Sequence, residues 1–223
     1  MLDWSRAKNL VFDLDNTLYD ASTLLFNKIE VRMNQFIRRL LNIDEIQAHK
    51  VQKDYYRDYG TTLKGLVKCN GINPDDFLEY VHDIDASELQ QCRRLATQLQ
   101  KLPHQKYVYT NGSVAHAKNI LTAMGAWTLF SGIFDIKQAN FQAKPYTLSY
   151  QLFCQQFDLK PEHCIFIEDM SENLLPASDL GMQTVLIRTP STRSMQYADD
   201  LRVHLHVDSV HEFLMQAELM LSI

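Results

Sequence analysis

Short apolar runs that alternate with amphipathic stretches dominate the second half of this sequence and restrict the folds open to it. The strand-like runs span residues 106–110, 133–136, 164–167 and 184–187, and the helical stretches between them span residues 114–124, 147–157 and 174–180. Strands that alternate with helices at this spacing are typical of a parallel sheet covered on both faces. The pattern therefore predicts an α/β fold, a Rossmann-like three-layer sandwich with a parallel sheet.

One further strand-like segment, Asn9-Leu10-Val11-Phe12-Asp13-Leu14-Asp15, is a short apolar run that ends in carboxylates, and a helical block separates it from the others. In residues 18–95 apolar side chains recur at intervals of three and four, as in Leu25, Ile29 and Met33, and no strand pattern occurs. Because a single strand is not stable beside an all-helical segment, we expect the early strand to join the parallel sheet. The sequence thus predicts two domains, an α/β core of residues 1–17 and 96–223 and an inserted helical cap domain of residues 18–95.

The charge and hydropathy of the chain exclude several classes of function. Its 22 basic and 27 acidic side chains give a net charge of −5, and a chain of that sign does not attract the phosphate backbone of nucleic acid. The longest apolar run is four residues, whereas a membrane span needs roughly 18 or more. The first residues are polar and show no secretory signal. We expect a cytoplasmic protein, monomeric or weakly homodimeric, that binds neither nucleic acid nor a membrane.

Polar residues follow the predicted strands at the points where a ligand site is expected. In an open α/β sheet the site lies beyond the carboxyl ends of the strands. The polar clusters at strand ends and helix starts are Asp13-Leu14-Asp15-Asn16-Thr17, Thr110-Asn111-Gly112, Lys144-Pro145 and Glu168-Asp169. Each cluster alone could be an ordinary turn, but their joint order along the chain favours one shared site.

The residue types in these clusters point to phosphoryl transfer. Crowded carboxylates repel one another unless a divalent cation neutralises them, and hard oxygen ligands favour Mg²⁺. A carboxylate is ionised at neutral pH, so it can attack phosphorus without a general base. A second carboxyl group two residues away can protonate the leaving oxygen and later activate water. A lysine and the donors of a Thr-Asn-Gly turn can hold the phosphoryl oxygens.

In their order and spacing these clusters resemble the four motifs of the haloacid dehalogenase superfamily of phosphohydrolases, which also carries helical insertions after the first motif. The resemblance implies that Asp13 is the nucleophile that forms an aspartyl-phosphate and that Asp15 is the general acid and base. The presence of Asp15 argues against the dehalogenase branch itself, which lacks an acid at that position. The implied activity is that of a phosphoric monoester hydrolase.

The same resemblance assigns the phosphate and metal ligands. Thr110 and Asn111 would bind the phosphoryl group, and Lys144 would stabilise its charge. Mg²⁺ would be held by Asp13, by the backbone carbonyl of Asp15 and by Asp169. Glu168 stands where many relatives have a second aspartate, so its contact with the metal is either direct or through water.

The insertion carries a finer resemblance. Residues 55–66, Tyr-Tyr-Arg-Asp-Tyr-Gly-Thr-Thr-Leu-Lys-Gly-Leu, together with residues 110–117, are similar to the pyrimidine 5′-nucleotidase branch of that superfamily. This similarity implies a pyrimidine nucleoside 5′-monophosphate as substrate, bound in part by Tyr55, Tyr59 and Lys64. Tyrosines in such a block also serve as helix-packing groups, and that alternative stays open.

Other interpretations also remain open. The chain could be a phosphatase or phosphomutase of the same superfamily that acts on a sugar phosphate or phosphoglycolate, or a non-catalytic binding protein on a phosphatase scaffold. For His116, early in the predicted helix at 114–124, we expect a solvated residue without a role in the site.

Overall fold

The computed structural model describes residues 2–91 and 93–221 of the chain. Within these residues six strands form one sheet: β1 (Asn9–Phe12), β2 (Gln105–Tyr109), β3 (Gly132–Phe134), β4 (Cys164–Glu168), β5 (Gln183–Ile187) and β6 (Leu205–Val207). The same residues form nine α-helices: α1 (Leu25–Leu41), α2 (Glu45–Tyr59), α3 (Thr62–Asn70), α4 (Pro74–His82), α5 (Arg93–Lys101), α6 (Val114–Ala123), α7 (Thr147–Gln156), α8 (Ser171–Asp179) and α9 (Val210–Met220). Across the described parts of the chain, no helix has both the length and the apolar character needed to cross a membrane.

All neighbouring strands of the sheet are parallel, in the order β3-β2-β1-β4-β5-β6. β1 lies between β2 and β4, with Phe12 opposite Val108 on one side and Ile167 on the other. Every residue of β1 is buried, and Leu10, Val11 and Phe12 are apolar, as is typical of a parallel strand that is covered on both faces. The predicted Rossmann-like α/β fold is confirmed, with helices on both sides of the sheet. The carboxyl ends of β1, β2 and β4 meet at one edge.

Aromatic side chains pack at the carboxyl end of β2. The ring of Tyr109 lies 5.2 Å from that of Tyr150 and 5.9 Å from that of Phe166, measured between centroids. Both tyrosine hydroxyls are paired inside the core, Tyr109 with Ser149 Oγ and Tyr150 with the carbonyl oxygen of Asn173 at 2.6 Å. Because large rings with satisfied hydroxyls contribute much of the packing of a core, this cluster supports the strand ends that carry the polar motifs.

The chain divides into two compact units. The core unit comprises Met1–Ser22 and Ala86–Ile223, and the helical unit comprises Thr23–Asp85. The predicted boundaries, after residue 17 and before residue 96, therefore differ from these by 5 and 10 residues. At the first boundary, Tyr19 is buried and bonds Asp15 within the core unit. At the second boundary, α5 packs on α9, with Lys101 bonded to Glu218 at 2.8 Å. Helix α5 begins before residue 96, so the whole helix belongs to the core unit.

The helical unit contains α1 to α4. Two of these helices begin at side-chain caps: Asp44 accepts a hydrogen bond from the backbone N–H of Gln47 at the start of α2, and Thr61 accepts one from the backbone N–H of Lys64 at the start of α3. Between them Gly60 has a φ of 84°, a left-handed conformation that glycine adopts without strain. This residue ends α2 and allows α3 to turn back against it.

Candidate active site

Three carboxyl groups lie together at the carboxyl ends of β1 and β4. Asp13 follows β1, Glu168 is the last residue of β4, and Asp169 follows it. The backbone N–H of Asp13 donates to the carbonyl oxygen of Ile167 at 2.9 Å, so the pairing with β4 continues one residue past the end of β1. One carboxylate oxygen from each of the three residues lies within 4.8 Å of the others, and all three residues are buried. The parallel register of β1 and β4 therefore builds the acidic cluster.

Lys144 lies against this cluster with its side chain buried. Its Nζ donates to Asp13 Oδ1 at 2.7 Å, to Glu168 Oε2 at 2.6 Å and to the carbonyl oxygen of Tyr109 at 2.9 Å. Burial by itself would lower the pKa of Lys144, but the charges of Asp13 and Glu168 outweigh it and hold that pKa above its ordinary value. The ammonium group is therefore charged and its three protons are directed to three acceptors.

The surroundings of Asp13 and Asp169 disfavour their ionised forms. Burial, followed by the charge of Glu168, raises the pKa of Asp13 to about 7, against a smaller opposing effect of Lys144. Burial and the charges of Glu168 and Asp13 also raise the pKa of Asp169 well above its ordinary value. One lysine thus does not balance three buried carboxyl groups.

A hard divalent cation fits this imbalance. Mg²⁺ prefers oxygen ligands and would supply the missing positive charge. Burial and neighbouring negative charge raise the pKa of both Asp13 and Asp169, and for neither does Lys144 outweigh these effects. Glu168 differs from Asp13 in that both of its oxygens accept hydrogen bonds: Lys144 donates to Oε2, and the backbone N–H groups of Asp169 and Met170 donate to Oε1, both at 3.2 Å. These contacts favour Asp13 and Asp169 as direct ligands.

The loop after β2 places Thr110 and Asn111 beside Lys144. Asn111 Oδ1 accepts from the backbone N–H of Lys144 at 2.8 Å, and Asn111 Nδ2 donates to the backbone carbonyl of Lys144 at 3.3 Å. Thr110 is buried, and its Oγ1 accepts from the backbone N–H of Gly112 at 2.9 Å. The side-chain amide of Asn111 therefore holds the backbone of Lys144. This contact joins residues 33 positions apart, so the sequence pattern does not predict it.

Asp15 is held by two side chains that the sequence did not indicate. Tyr19 Oη donates to Asp15 Oδ1 at 2.6 Å, and His116 Nε2 lies 2.7 Å from the same oxygen. Burial, followed by the negative charge of Asp15, raises the pKa of Tyr19, so its hydroxyl stays protonated and donates. The expectation of a solvated His116 is wrong, because the side chain is fully buried.

A signal for this burial was present in the sequence. His116 shares the buried stripe of α6 with Ala117, Ile120 and Leu121, and that stripe has the spacing of a core-facing helix surface. Tyr19 follows Asp15 by four residues in a turn where the backbone N–H of Leu18 donates to the carbonyl of Leu14 at 3.0 Å. The helical period could therefore have placed His116 in the core, although not against Asp15.

Tyr55, Tyr59 and Lys64 belong to the helical unit. The rings of Tyr55 and Tyr59 meet edge to face at 5.8 Å, and both tyrosines are half-buried. Tyr55 Oη donates to Asn70 Oδ1 at 3.0 Å, and Tyr59 Oη accepts from Cys69 Sγ at 3.1 Å. Both hydroxyls thus link α2 to α3, as expected of helix-packing tyrosines. Lys64 lies in the first turn of α3 and is half-buried.

Comparisons with known proteins relate the chain to phosphatases. A family model described as haloacid dehalogenase-like hydrolase matches residues 10–187. Phosphate metabolism protein 8 of Saccharomyces cerevisiae is 30% identical over 197 residues, covering 80% of this chain and 61% of that protein. Glyceraldehyde 3-phosphate phosphatase of Methanocaldococcus jannaschii is 24% identical over 221 residues, covering 93% of this chain and 95% of that protein. This chain thus spans about three fifths of the yeast relative and nearly the whole archaeal one.

A solved structure shares the fold. CbbY from Rhodobacter sphaeroides, crystallised in complex with phosphate, superposes with a TM-score of 0.63 at 14% identity, covering 93% of this chain and 96% of that one. At this level of identity the likeness concerns the fold alone.

Proposed function

The chain belongs to the haloacid dehalogenase-like hydrolase family, and from that membership we propose that it is a Mg²⁺-dependent phosphomonoesterase acting through an aspartyl-phosphate on Asp13. The observation that carries the proposal is the buried cluster of Asp13, Glu168 and Asp169, in which the ammonium group of Lys144 pairs with Asp13 and Glu168. A purely structural ion pair would not need three buried carboxyl groups for one lysine, since uncompensated buried charge is destabilising.

The residues of the site support a two-step reaction. In the first step a carboxylate oxygen of Asp13 attacks phosphorus, the ester P–O bond breaks, and Asp15 gives its proton to the leaving alkoxide. In the second step water gives a proton to Asp15 and attacks the aspartyl-phosphate, which releases inorganic phosphate and restores Asp13. Lys144 offsets negative charge beside Asp13 in both steps, and Asn111 keeps the Lys144 backbone in place.

Mg²⁺ bound by Asp13, by Asp169 and by the backbone carbonyl of Asp15 would supply the positive charge that keeps Asp13 ionised at neutral pH and offsets the charge of the phosphoryl group. We assign Glu168 a contact with the metal through water, because both of its oxygens already accept hydrogen bonds from the protein. Thr110 and the backbone donors of the loop after β2 are assigned to the phosphoryl oxygens, and direct contact of Asn111 with these oxygens stays a prediction.

The experiment that tests this proposal is hydrolysis of p-nitrophenyl phosphate. We expect turnover with Mg²⁺, its loss in EDTA and its return when Mg²⁺ is added back. Asp13→Asn keeps the size of the side chain but removes the attacking charge, so turnover should fall by several orders of magnitude. Asp208→Asn, an exposed aspartate of the core unit, is the matched control. Full activity in EDTA, or more than a few per cent of activity in Asp13→Asn, would contradict the proposal.

For the substrate we propose a pyrimidine nucleoside 5′-monophosphate. The support is the resemblance of residues 55–66 to the pyrimidine 5′-nucleotidase branch and the paired rings of Tyr55 and Tyr59, which offer aromatic faces for a base. UMP or CMP should then exceed AMP and GMP by at least about tenfold in kcat/KM, because stacking is worth about 1 to 3 kcal/mol per base.

A variant of the helical unit tests the role of the rings. Tyr59→Leu should lower the ratio of UMP to p-nitrophenyl phosphate turnover, whereas Tyr80→Leu on α4 serves as the matched control in the same unit. Comparable rates for purine and pyrimidine nucleotides would defeat the nucleotide assignment while leaving the phosphomonoesterase proposal intact.

A small sugar phosphate is the second candidate substrate. The observation that favours it is the similarity to glyceraldehyde 3-phosphate phosphatase over 93% of this chain, together with the use of the Tyr55 and Tyr59 hydroxyls inside the helical unit. A panel containing glyceraldehyde 3-phosphate, phosphoglycolate and the four nucleotides distinguishes the two candidates. A sugar phosphate that exceeds every nucleotide in kcat/KM would select the second.

A further inference from the structure

A histidine from α6 and a tyrosine from the turn after β1 meet on one carboxyl oxygen of Asp15. His116 Nε2 lies 2.7 Å from Asp15 Oδ1, and Tyr19 Oη donates to the same oxygen at 2.6 Å. We propose that His116 and Tyr19 are positioning residues that hold the carboxyl group of Asp15 in the orientation needed to protonate the leaving group. This inference rests on the proposed function, in which Asp15 is the general acid.

Burial separates the roles of the three residues. The His116 side chain is fully buried and Tyr19 is 2% exposed, whereas 15% of the Asp15 side chain remains exposed. A ligand can therefore reach Asp15 but not the ring of His116. For this reason we assign His116 an action through Asp15 and not on the substrate directly.

The start of α6 is built to keep His116 in place. Ser113 Oγ accepts from the backbone N–H of His116 at 3.2 Å and caps the helix. The buried carboxyl group of Asp135 accepts from the backbone N–H of Val114 at 2.9 Å and from those of Lys137 and Gln138 at 3.0 and 2.9 Å. These contacts tie the first turn of α6 to the loop after β3. The imidazole therefore approaches Asp15 from a fixed backbone.

His116 and Tyr19 both contact Oδ1 of Asp15. Rotation of the Asp15 carboxyl group about its Cβ–Cγ bond would break the bonds to His116 and Tyr19 together. The two contacts come from different elements, a turn four residues away and a helix 101 residues away, so they restrain the group from two directions. Proton transfer in catalysis requires such restraint, because small misplacements of a catalytic group are costly.

The dependence of rate on the leaving group reports this role. Poor leaving groups need protonation as the P–O bond breaks, whereas p-nitrophenolate needs little help. We would measure kcat and KM for p-nitrophenyl phosphate, phenyl phosphate and glycerol 3-phosphate, whose leaving groups become progressively poorer. In His116→Ala we expect kcat for glycerol 3-phosphate to fall about ten- to hundredfold relative to that for p-nitrophenyl phosphate, with little change in KM.

Two further variants distinguish positioning from a structural role. His116→Gln places an amide nitrogen near the position of Nε2 and should recover most of the lost ratio. Tyr19→Phe removes only the hydroxyl group and should lower the same ratio, which keeps the test informative if His116→Ala does not fold. His211→Ala is the matched control, because His211 is a partly buried histidine of the core unit whose Nδ1 bonds Gln98. Circular dichroism verifies the fold of each variant.

The outcomes separate this inference from the proposed function. If Asp15→Asn shows the leaving-group dependence but His116→Ala and Tyr19→Phe lose activity equally on all three esters, the positioning role is refuted. A loss in His116→Ala that His116→Gln does not recover would refute it as well. If Asp15→Asn itself loses activity equally on all three esters, Asp15 is not the general acid and that part of the proposed function fails.

Discussion

Raising the pH should destabilise the metal-free protein through Asp13. Its pKa is 3.8 in an ordinary environment and is raised to about 7 in the fold, chiefly by burial and by the charge of Glu168. Between these two values the folded protein holds a proton on Asp13 that the unfolded chain does not. The free energy of unfolding therefore decreases as the pH rises. The contribution is fully present below the unfolded pKa and is lost as the pH passes through about 7.

The size of the effect follows from the same two values. Each pH unit between them costs about 1.4 kcal/mol, so Asp13 contributes a total loss of about 4 kcal/mol by slightly alkaline pH. This is a large part of the roughly 5 to 15 kcal/mol that stabilises a typical domain. The pKa of Asp169 is raised in the same direction, so Asp169 adds to the decrease that Asp13 causes.

Urea unfolding in EDTA at several pH values between about 5 and 8 measures the slope. Asp13→Asn cannot titrate at this position, so the difference in unfolding free energy between wild type and variant isolates Asp13. That difference should change by about 1.4 kcal/mol per pH unit up to about pH 7. Saturating Mg²⁺ should flatten the wild-type slope, because the metal binds the ionised carboxylates and stabilises the folded state.

Asp208→Asn is the control, because Asp208 is an exposed aspartate with a single surface ion pair to Arg188. Its unfolding free energy should follow that of the wild type at every pH. Parallel curves for wild type and Asp13→Asn in EDTA would refute the reasoning, since they would show that Asp13 has the same proton affinity in the folded and unfolded chains.

Three further predictions follow from the contacts of the site. Asn111→Ala removes both side-chain bonds to the Lys144 backbone, and steady-state kinetics should show kcat reduced by about tenfold or more while thermal unfolding shows a folded protein. Lys144→Met leaves the carboxyl groups without their cation, so urea unfolding in EDTA should show a loss of about 3 to 5 kcal/mol near pH 8 and a smaller loss near pH 5, where Asp13 is protonated in both proteins. Ca²⁺ has looser and higher coordination than Mg²⁺, so it should stabilise the protein in thermal unfolding and yet support little hydrolysis of p-nitrophenyl phosphate; Ca²⁺ turnover equal to that with Mg²⁺ would contradict the assignment of the metal site.

The positions of the motif residues could be predicted from the sequence, because each depends on a short segment of the chain. Asp13 and the pair Glu168-Asp169 directly follow short apolar runs, and buried strands of this kind are recognised by composition and length alone. Once the strands are parallel neighbours, their carboxyl ends must meet, so the grouping of Asp13, Glu168 and Asp169 follows from topology. The limits of the helical unit were harder to predict, because α5 has the same helical sequence pattern as the helices before it. Only the packing of α5 on α9 assigns this helix to the core unit.

The sequence by itself determined the α/β class, the insertion after the first strand and the positions of the polar residues to which we assign the chemistry, because hydrophobic period and strand-end position are properties of short segments. Tertiary structure decided how those residues are held. The contact of His116 with Asp15 joins residues 101 positions apart, and that of Asn111 with Lys144 joins residues 33 apart. The raised pKa of Asp13 depends on burial and on the distance to Glu168 and Lys144. Separations of 3 Å between distant parts of the chain, and the desolvation that accompanies them, arise only when the helices and strands pack.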